Sequence, residues 1–274
     1  MHCFVGITVG HRPLVNLKGY LIGNAITGER VDFLSRIPFA HGMGIISDEL
    51  YELTMKYCEG QDYDYPTTTE CAENLDVVKN FLSEIEIPYI LESKCPPDFE
   101  PKAIRGYRRS IQLYTGEKLI VPPVPDVDCR EYIYYLIYYW ANNDFVRNAL
   151  HVQKGTVNGW QRCNNDLDYT REIESSVAYQ FNLTSSGYRA LVYSGDHDAV
   201  VPFLGTQAWI RSLNFPVVDD WHSWSVDGQV AGYTRSYSNN LTFATVKGAG
   251  HTAPEYKPKE CLAMLQRWIS HSPL

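Results

Sequence analysis

Two short loops carry the residues best suited to chemistry. One reads Ser194-Gly195-Asp196-His197-Asp198-Ala199-Val200-Val201-Pro202 and continues the apolar run Arg189–Ser194 (RALVYS). The other reads Val246-Lys247-Gly248-Ala249-Gly250-His251-Thr252-Ala253-Pro254 and continues Leu241–Val246 (LTFATV). An acid after one strand and an imidazole after the next supply two members of a nucleophilic triad. The imidazole takes the nucleophile's proton as general base, while a buried carboxylate fixes its tautomer and stabilises the imidazolium. Gly248 and Gly250 allow a tight loop that can aim His251 back across the sheet. Loops at the carboxyl ends of strands are also where catalytic groups gather in open α/β sheets.

Plainer readings stand beside this one. Aspartate commonly caps turns, so Asp196 or Asp198 could do only that, and His251 could be an ordinary structural histidine. His197 reads as a loop side chain, with an Asp-His-Asp metal site as the alternative. There is no CxxC pair and no Cys/His spacing typical of zinc. His41, His151, His222 and His271 have no evident partner. The cluster Tyr132, Tyr134, Tyr135, Tyr138 and Tyr139 reads as packing, with pocket lining as the alternative. The third member of a triad is missing: no Gly-x-Ser-x-Gly occurs. Ser185-Ser186-Gly187 precedes the strand of the acid, and Ser194 lacks a glycine two positions before it.

The elements that would position these loops follow from periodicity and punctuation. Leu17–Ile26 (LKGYLIGNAI) predicts a buried strand, and 33–44 a loop. Ser47, followed by Asp48 and Glu49, predicts a helix N-cap with an acidic first turn. Helical patches lie near 77–85. Glu131–His151 predicts a long, largely buried helix, interrupted at Asn142-Asn143-Asp144. Further helices are expected over 171–180 and 204–212. Trp221–Val226 and Gln229–Ser236 predict a hairpin turning at Asp227-Gly228. An amphipathic helix starts at Pro258, with Cys261, Met264, Leu265 and Trp268 on its apolar face. The order of elements is that of an α/β fold with a mainly parallel sheet. Three parts are expected: a core strand at 14–28, an inserted cap region at 29–128, and the remainder of the core at 129–274.

Composition sets the outer limits. A chain of 274 residues can bury a real core. A net charge of −8 argues against nucleic-acid binding, which calls for a basic face. The most apolar stretch, Tyr132–Ala141, is too short for a membrane span. The first residues, MHCFVGITVGHRP, lack a basic start, and Gly6 and Gly10 break the apolar run, so they make a poor signal peptide. The body of the chain points the other way. Asn182-Leu183-Thr184 and Asn240-Leu241-Thr242 are N-glycosylation sequons. Of seven cysteines, Cys58 and Cys71 bracket a short polar loop, and Cys95 and Cys129 a Pro-rich one, which suits loop-stapling disulfides. The odd count leaves at least one without an internal partner.

From about residue 14 to Leu274 the chain resembles plant serine carboxypeptidase-like proteins. The resemblance is carried by YSGDHDAVVPFLGTQAWI, VKGAGHTAPEYKPKECLAMLQRWI, LKGYLIGNAIT and WANNDFVRNALHVQKGTVNGWQRCN. It implies a partial α/β-hydrolase fold with an inserted cap, Asp198 as the catalytic aspartate and His251 as the catalytic histidine. It also implies bridges Cys58–Cys71 and Cys95–Cys129, a partner for Cys163 upstream of this sequence, and Cys261 free. No metal or organic cofactor is implied. The substrate would be a peptide or a small-molecule acyl ester, and the location secreted or vacuolar. The nucleophile elbow and the family's glycine-rich oxyanion segment have no counterpart here, so the chain is expected to start after the elbow and to be inactive alone. A pseudoenzyme or binding partner of related chains is the rival reading. An uncovered sheet edge is a further expectation, and with it poor solubility or partial disorder of the isolated chain.

Overall fold

The computed structural model describes residues 16–95, 110–112, 118–120, 130–153, 155, 159–162, 168–170 and 172–274. They form two compact units, one within 1–92 and 171–274 and the other within 93–170. Residues 29–92, expected to open an inserted region, fall in the same unit as the strands of the large sheet.

The larger unit is built on a five-stranded sheet in the order β1 (Gly19–Gly23), β4 (Arg189–Gly195), β7 (Leu241–Val246), β6 (Gln229–Tyr237) and β5 (Val217–Val226). The β1–β4 and β4–β7 pairs are parallel, and the β7–β6 and β6–β5 pairs antiparallel. The sheet is therefore mixed. Its parallel half carries both candidate loops.

Central position explains why β4 and β7 are mostly apolar, with no regular polar alternation. With helices on both faces, a strand has no side left for water. Leu191, Ala244 and Val246 point into a core completed by Trp224, Ala253, Cys261 and Met264. The alternate residues Ala190, Val192, Leu241 and Phe243 face a second core with Trp209, Ile210 and Leu213. These two clusters are the two sides of a period-2 strand. The helix over Pro258–Ile269 covers the first, with Cys261 and Met264 buried, and the helix over Phe203–Ser212 covers the second. In the β5–β6 hairpin, Asp227 and Gly228 both take positive φ (50° and 74°), the requirement of a two-residue primed turn.

β1 departs from expectation. It is an edge strand rather than a buried one, pairing with β4 alone among the described strands, and Leu21 is 40% exposed. Residues 33–44 are also helical rather than a loop. α1 (Arg30–Leu34) and α2 (Arg36–Gly42) bury Asp32, Ile37, Phe39 and Ala40. Pro38 stands in the first turn of α2, where its missing N–H has no intrahelical acceptor to lose. Ile37 and Ala40 share a small core with Ile46 and Val78. α3 (Asp48–Tyr57) begins as expected, with Ser47 Oγ accepting the Leu50 N–H. α4 (Thr69–Ser83) is capped by Thr68 and extends the helical patch backwards. Cys58 ends α3, Cys71 lies in the first turn of α4, and a disulfide joins them, both residues being buried.

In the smaller unit, β2 (Ser110–Gln112) and β3 (Lys118–Ile120) form an antiparallel ribbon. The expected long helix is two, α5 (Arg130–Asn142) and α6 (Asp144–Ala149). Asn143 separates them by accepting the N–H groups of Phe145 and Val146 on Oδ1. Nor is α5 largely buried: Tyr138 and Trp140 are exposed. Back in the larger unit, α7 (Val177–Ser185) lies later than the 171–180 expected. After it come α8 (Phe203–Ser212), the short α9 (Ala253–Tyr256) and α10 (Pro258–Ile269).

Candidate active site

Asp198 lies in the turn that leaves β4 and is fully buried. Its Oδ1 accepts the N–H groups of Val200 (2.7 Å) and Val201 (3.3 Å). Its Oδ2 accepts from Asn24 Nδ2 at 2.8 Å and faces His251 Nδ1 at 2.9 Å. Four hydrogen bonds fill the acceptor capacity of an ionised carboxylate, which is how such a group can be buried at all. His251 reaches it from the loop after β7 and keeps 37% of its side chain exposed. With an ionised Asp198 accepting from Nδ1–H, Nε2 is left as the basic nitrogen on the imidazole.

The two loops are clamped together by their neighbours. Asp196 Oδ1 accepts the Gly248 N–H at 2.7 Å and lies 2.5 Å from His197 Nδ1. The His197 N–H donates to Ala249 O, and the Asp196 N–H to Val246 O. Residues 87–90 hold both loops from outside: Ala199 N–H donates to Ile87 O, and His251 N–H to Pro88 O at 2.6 Å. Gly250 has no room for a side chain, because a β-carbon would overlap Pro88 O and the Tyr89 side chain. Asp196 thus joins the acid loop to the histidine loop, whereas Asp198 joins the histidine itself.

Arg36, on α2, donates from Nε and Nη2 to Val200 O at 2.9 and 2.8 Å. Partial burial pushes its guanidinium down from the usual value, and the carboxylates of Asp64 and Asp198 push it back up. Arginine stays charged through such shifts. No local signal in the sequence marks Arg36 or Asn24 as part of the site. Arg36 sits where a loop was expected, and Asn24 read only as the end of a strand.

His197 pairs with Asp196, and among the described residues no three His, Cys, Asp or Glu side chains are grouped to hold a metal. His41 stacks on Tyr51 and contacts Asp48 at 2.6 Å, His222 approaches the Asp220 carbonyl, and His271 approaches Arg189. None of these three bonds to Asp198 or His251. Cys95 is disulfide-bonded; Cys129, its expected partner, and Cys163 lie outside the described residues. Cys261 is free and buried, and burial pushes its thiol up to about 11. Asn182 is exposed on α7, and Asn240 is exposed in the turn between β6 and β7. Tyr138 and Tyr139 meet edge to face, and the Arg162 guanidinium lies 3.6 Å from the Tyr134 ring centroid. The side chains of Tyr132 and Tyr135 lie outside the described set.

Known proteins resemble this chain in fold and in sequence. The yeast prohormone-processing carboxypeptidase Kex1(Δ)p, from Saccharomyces cerevisiae, superposes with a TM-score of 0.60 at 18% identity, over 98% of this chain and 58% of that one. The likeness is one of fold, an α/β-hydrolase in part. Serine carboxypeptidase-like 19 of Arabidopsis thaliana is 44% identical over 98% of this chain and 59% of its own length. Serine carboxypeptidase-like 10 of the same plant is 47% identical over 96% and 55%. The chain therefore spans a little over half the length of these relatives. The serine carboxypeptidase family model matches residues 5–271, nearly the whole sequence, and the chain belongs to that family.

Proposed function

We propose that this chain supplies the acid and base of a serine-type acyl-transfer centre, with Asp198 orienting His251 and His251 acting as the base. The observation that carries the reading is the 2.9 Å approach of a buried carboxylate to an imidazole whose other nitrogen is left to work. Nε2 would take the proton of an attacking serine hydroxyl as its oxygen bonds to the acyl carbon. It would then return that proton to the departing group, leaving an acyl ester for water or an alcohol to cleave.

Among the described residues, no serine hydroxyl is hydrogen-bonded to His251, whose side-chain partner is Asp198. Ser194, the serine nearest the acid in sequence, is fully buried, with Oγ 3.3 Å from Asn24 Nδ2 and 3.4 Å from Gly195 O. With no Gly-x-Ser-x-Gly in these residues, the serine would come from sequence beyond them, and the 274 residues alone would be non-catalytic. The relatives' names support a C-terminal residue of a peptide as the group released, with transfer from an activated acyl ester to an alcohol as the alternative. Disulfides at Cys58–Cys71 and Cys95 support an oxidising location, secreted or vacuolar. No described helix is long and apolar enough to cross a membrane.

The test is labelling with a fluorophosphonate, which reacts with activated serines. The chain is compared with a version extended upstream by a relative's elbow-bearing segment. Labelling only of the extended version, abolished by His251→Ala, is expected. A single labelled serine in the short chain would overturn the assignment of the nucleophile, and labelling that survives His251→Ala would overturn that of the base.

A further inference from the structure

Asn24 takes no part in the triad chemistry, yet its side chain is bound at both polar atoms. Nδ2 donates to Asp198 Oδ2 at 2.8 Å and lies 3.3 Å from Ser194 Oγ, while Oδ1 accepts the Gly195 N–H at 3.1 Å. Its own N–H donates to Tyr193 O at 3.0 Å, extending the β1–β4 ladder by one bond. The residue is buried and holds a left-handed backbone, with φ 43°. Asparagine tolerates that backbone, but glycine does so with less strain. Turning the chain after β1 therefore does not by itself require the amide.

We propose that Asn24 is a positioning residue for the Asp198–His251 pair. Its amide shares Oδ2 with the imidazole and thereby governs how much of that oxygen's charge is left for His251. The inference rests on the acid–base reading given above. Oδ1 is already saturated by the N–H groups of Val200 and Val201, so the carboxylate plane is pinned on one side. Oδ2 has two partners, one a neutral amide and the other the base. A donor to the charged form stabilises that form and weakens the oxygen as an acceptor for its other partner. The basic side chains beside the acid are bound elsewhere, Arg36 to Val200 O and His197 to Asp196. Among the described residues, the Asn24 amide is thus the one group that shares with the imidazole the oxygen of the acid–histidine bond. A purely structural Asn24 would tie β1 to β4 and leave that bond unaltered.

The two roles separate in the nuclear magnetic resonance spectrum of the 274-residue chain carrying 15N-labelled histidine. The signal to follow is the low-field Nδ1 proton of His251, assigned by its loss in His251→Gln. Asn24→Gly removes the amide and suits the positive φ. Asn24→Ala removes the same amide on a different backbone, so that a folding failure in one leaves the other. In both, the resonance is expected to move to lower field, because Oδ2 is left with the imidazole as its sole partner. Asp198→Asn is expected to abolish it. A resonance that stays put or moves to higher field in a folded Asn24 variant, while Asp198→Asn still abolishes it, overturns the inference and leaves Asn24 a strand tie. A resonance that survives Asp198→Asn unchanged shows that the acid–histidine pair does not form, and the reading beneath the inference fails with it.

Discussion

Gly195 lies directly against the main chain of Gly250, so close that a β-carbon on Gly195 would overlap the carbonyl oxygens of both Gly250 and Ala249. Gly195 ends β4 and Gly250 precedes His251, so this contact sets how near the acid loop comes to the histidine loop. Both neighbours are backbone atoms and cannot turn aside as a side chain would. Gly195→Ala must therefore push the loops apart, and it is expected to destabilise the chain by about 3 kcal/mol, the upper part of the overpacking range. Urea unfolding would read the loss; a variant within about 0.5 kcal/mol of wild type would mean that the loops have slack.

How much of this was legible in advance depended on whether a residue's environment is local. The two loops could be read because strands buried on both faces leave a mostly apolar run, and glycines mark the turns that follow. The helix from Pro258 and the turn at Asp227-Gly228 are likewise local signals, and both lie where expected. α1 and α2 were not legible, because Pro38, Gly42 and Gly44 look like loop punctuation. Only the partners Ile46 and Val78 make Ile37 and Ala40 a buried face. Asn24 could not have been picked out, since its partner is 174 positions away. The edge position of β1 is equally non-local: an apolar strand looks the same with one neighbour or two.

The Cys58–Cys71 bridge closes a loop of sequence separation 13 between the end of α3 and the start of α4. In the unfolded chain a crosslink of this span removes entropy equivalent to about 3 kcal/mol. Cys58→Ala with Cys71→Ala is expected to cost about 2–4 kcal/mol of that unit's stability. Equilibrium unfolding of oxidised and doubly substituted chains would show it, and an unchanged denaturant midpoint would remove the bridge from the list of what holds α3 and α4.

Leu21 is 40% exposed on a strand that pairs on one side only among the described residues. It also lines an apolar groove with Tyr193, Pro254, Leu262 and Leu265. An exposed apolar edge invites pairing with another chain, and an edge lysine is a common way to prevent it. Leu21→Lys is expected to reduce concentration-dependent association of the 274-residue chain, as seen by sedimentation velocity. If association is the same with lysine there, the sticky surface lies elsewhere.

Asp32 offers a test of how acidity acts on the fold. Its Oδ2 accepts from Thr27 N, Thr27 Oγ1 and Gly28 N at 2.6, 2.9 and 3.0 Å, whereas Oδ1 is buried without a partner. Burial raises its pKa above the usual carboxylate value, outweighing the lowering by the Thr27 and Gly28 bonds. A carboxyl group whose folded pKa exceeds its unfolded one favours the fold most fully below the unfolded value. That advantage is lost as pH rises through the folded value. Asp32→Asn keeps an oxygen for Thr27 and Gly28 but cannot ionise. The stability of wild type relative to this variant should therefore improve as pH falls from neutral towards about 4, the ordinary carboxylate range. Thermal midpoints of the two chains, measured side by side across that range, decide the matter. A difference that is flat with pH would mean that folding does not penalise Asp32 as an ion, and one that widens in the variant's favour on acidification would mean that the folded chain stabilises that ion.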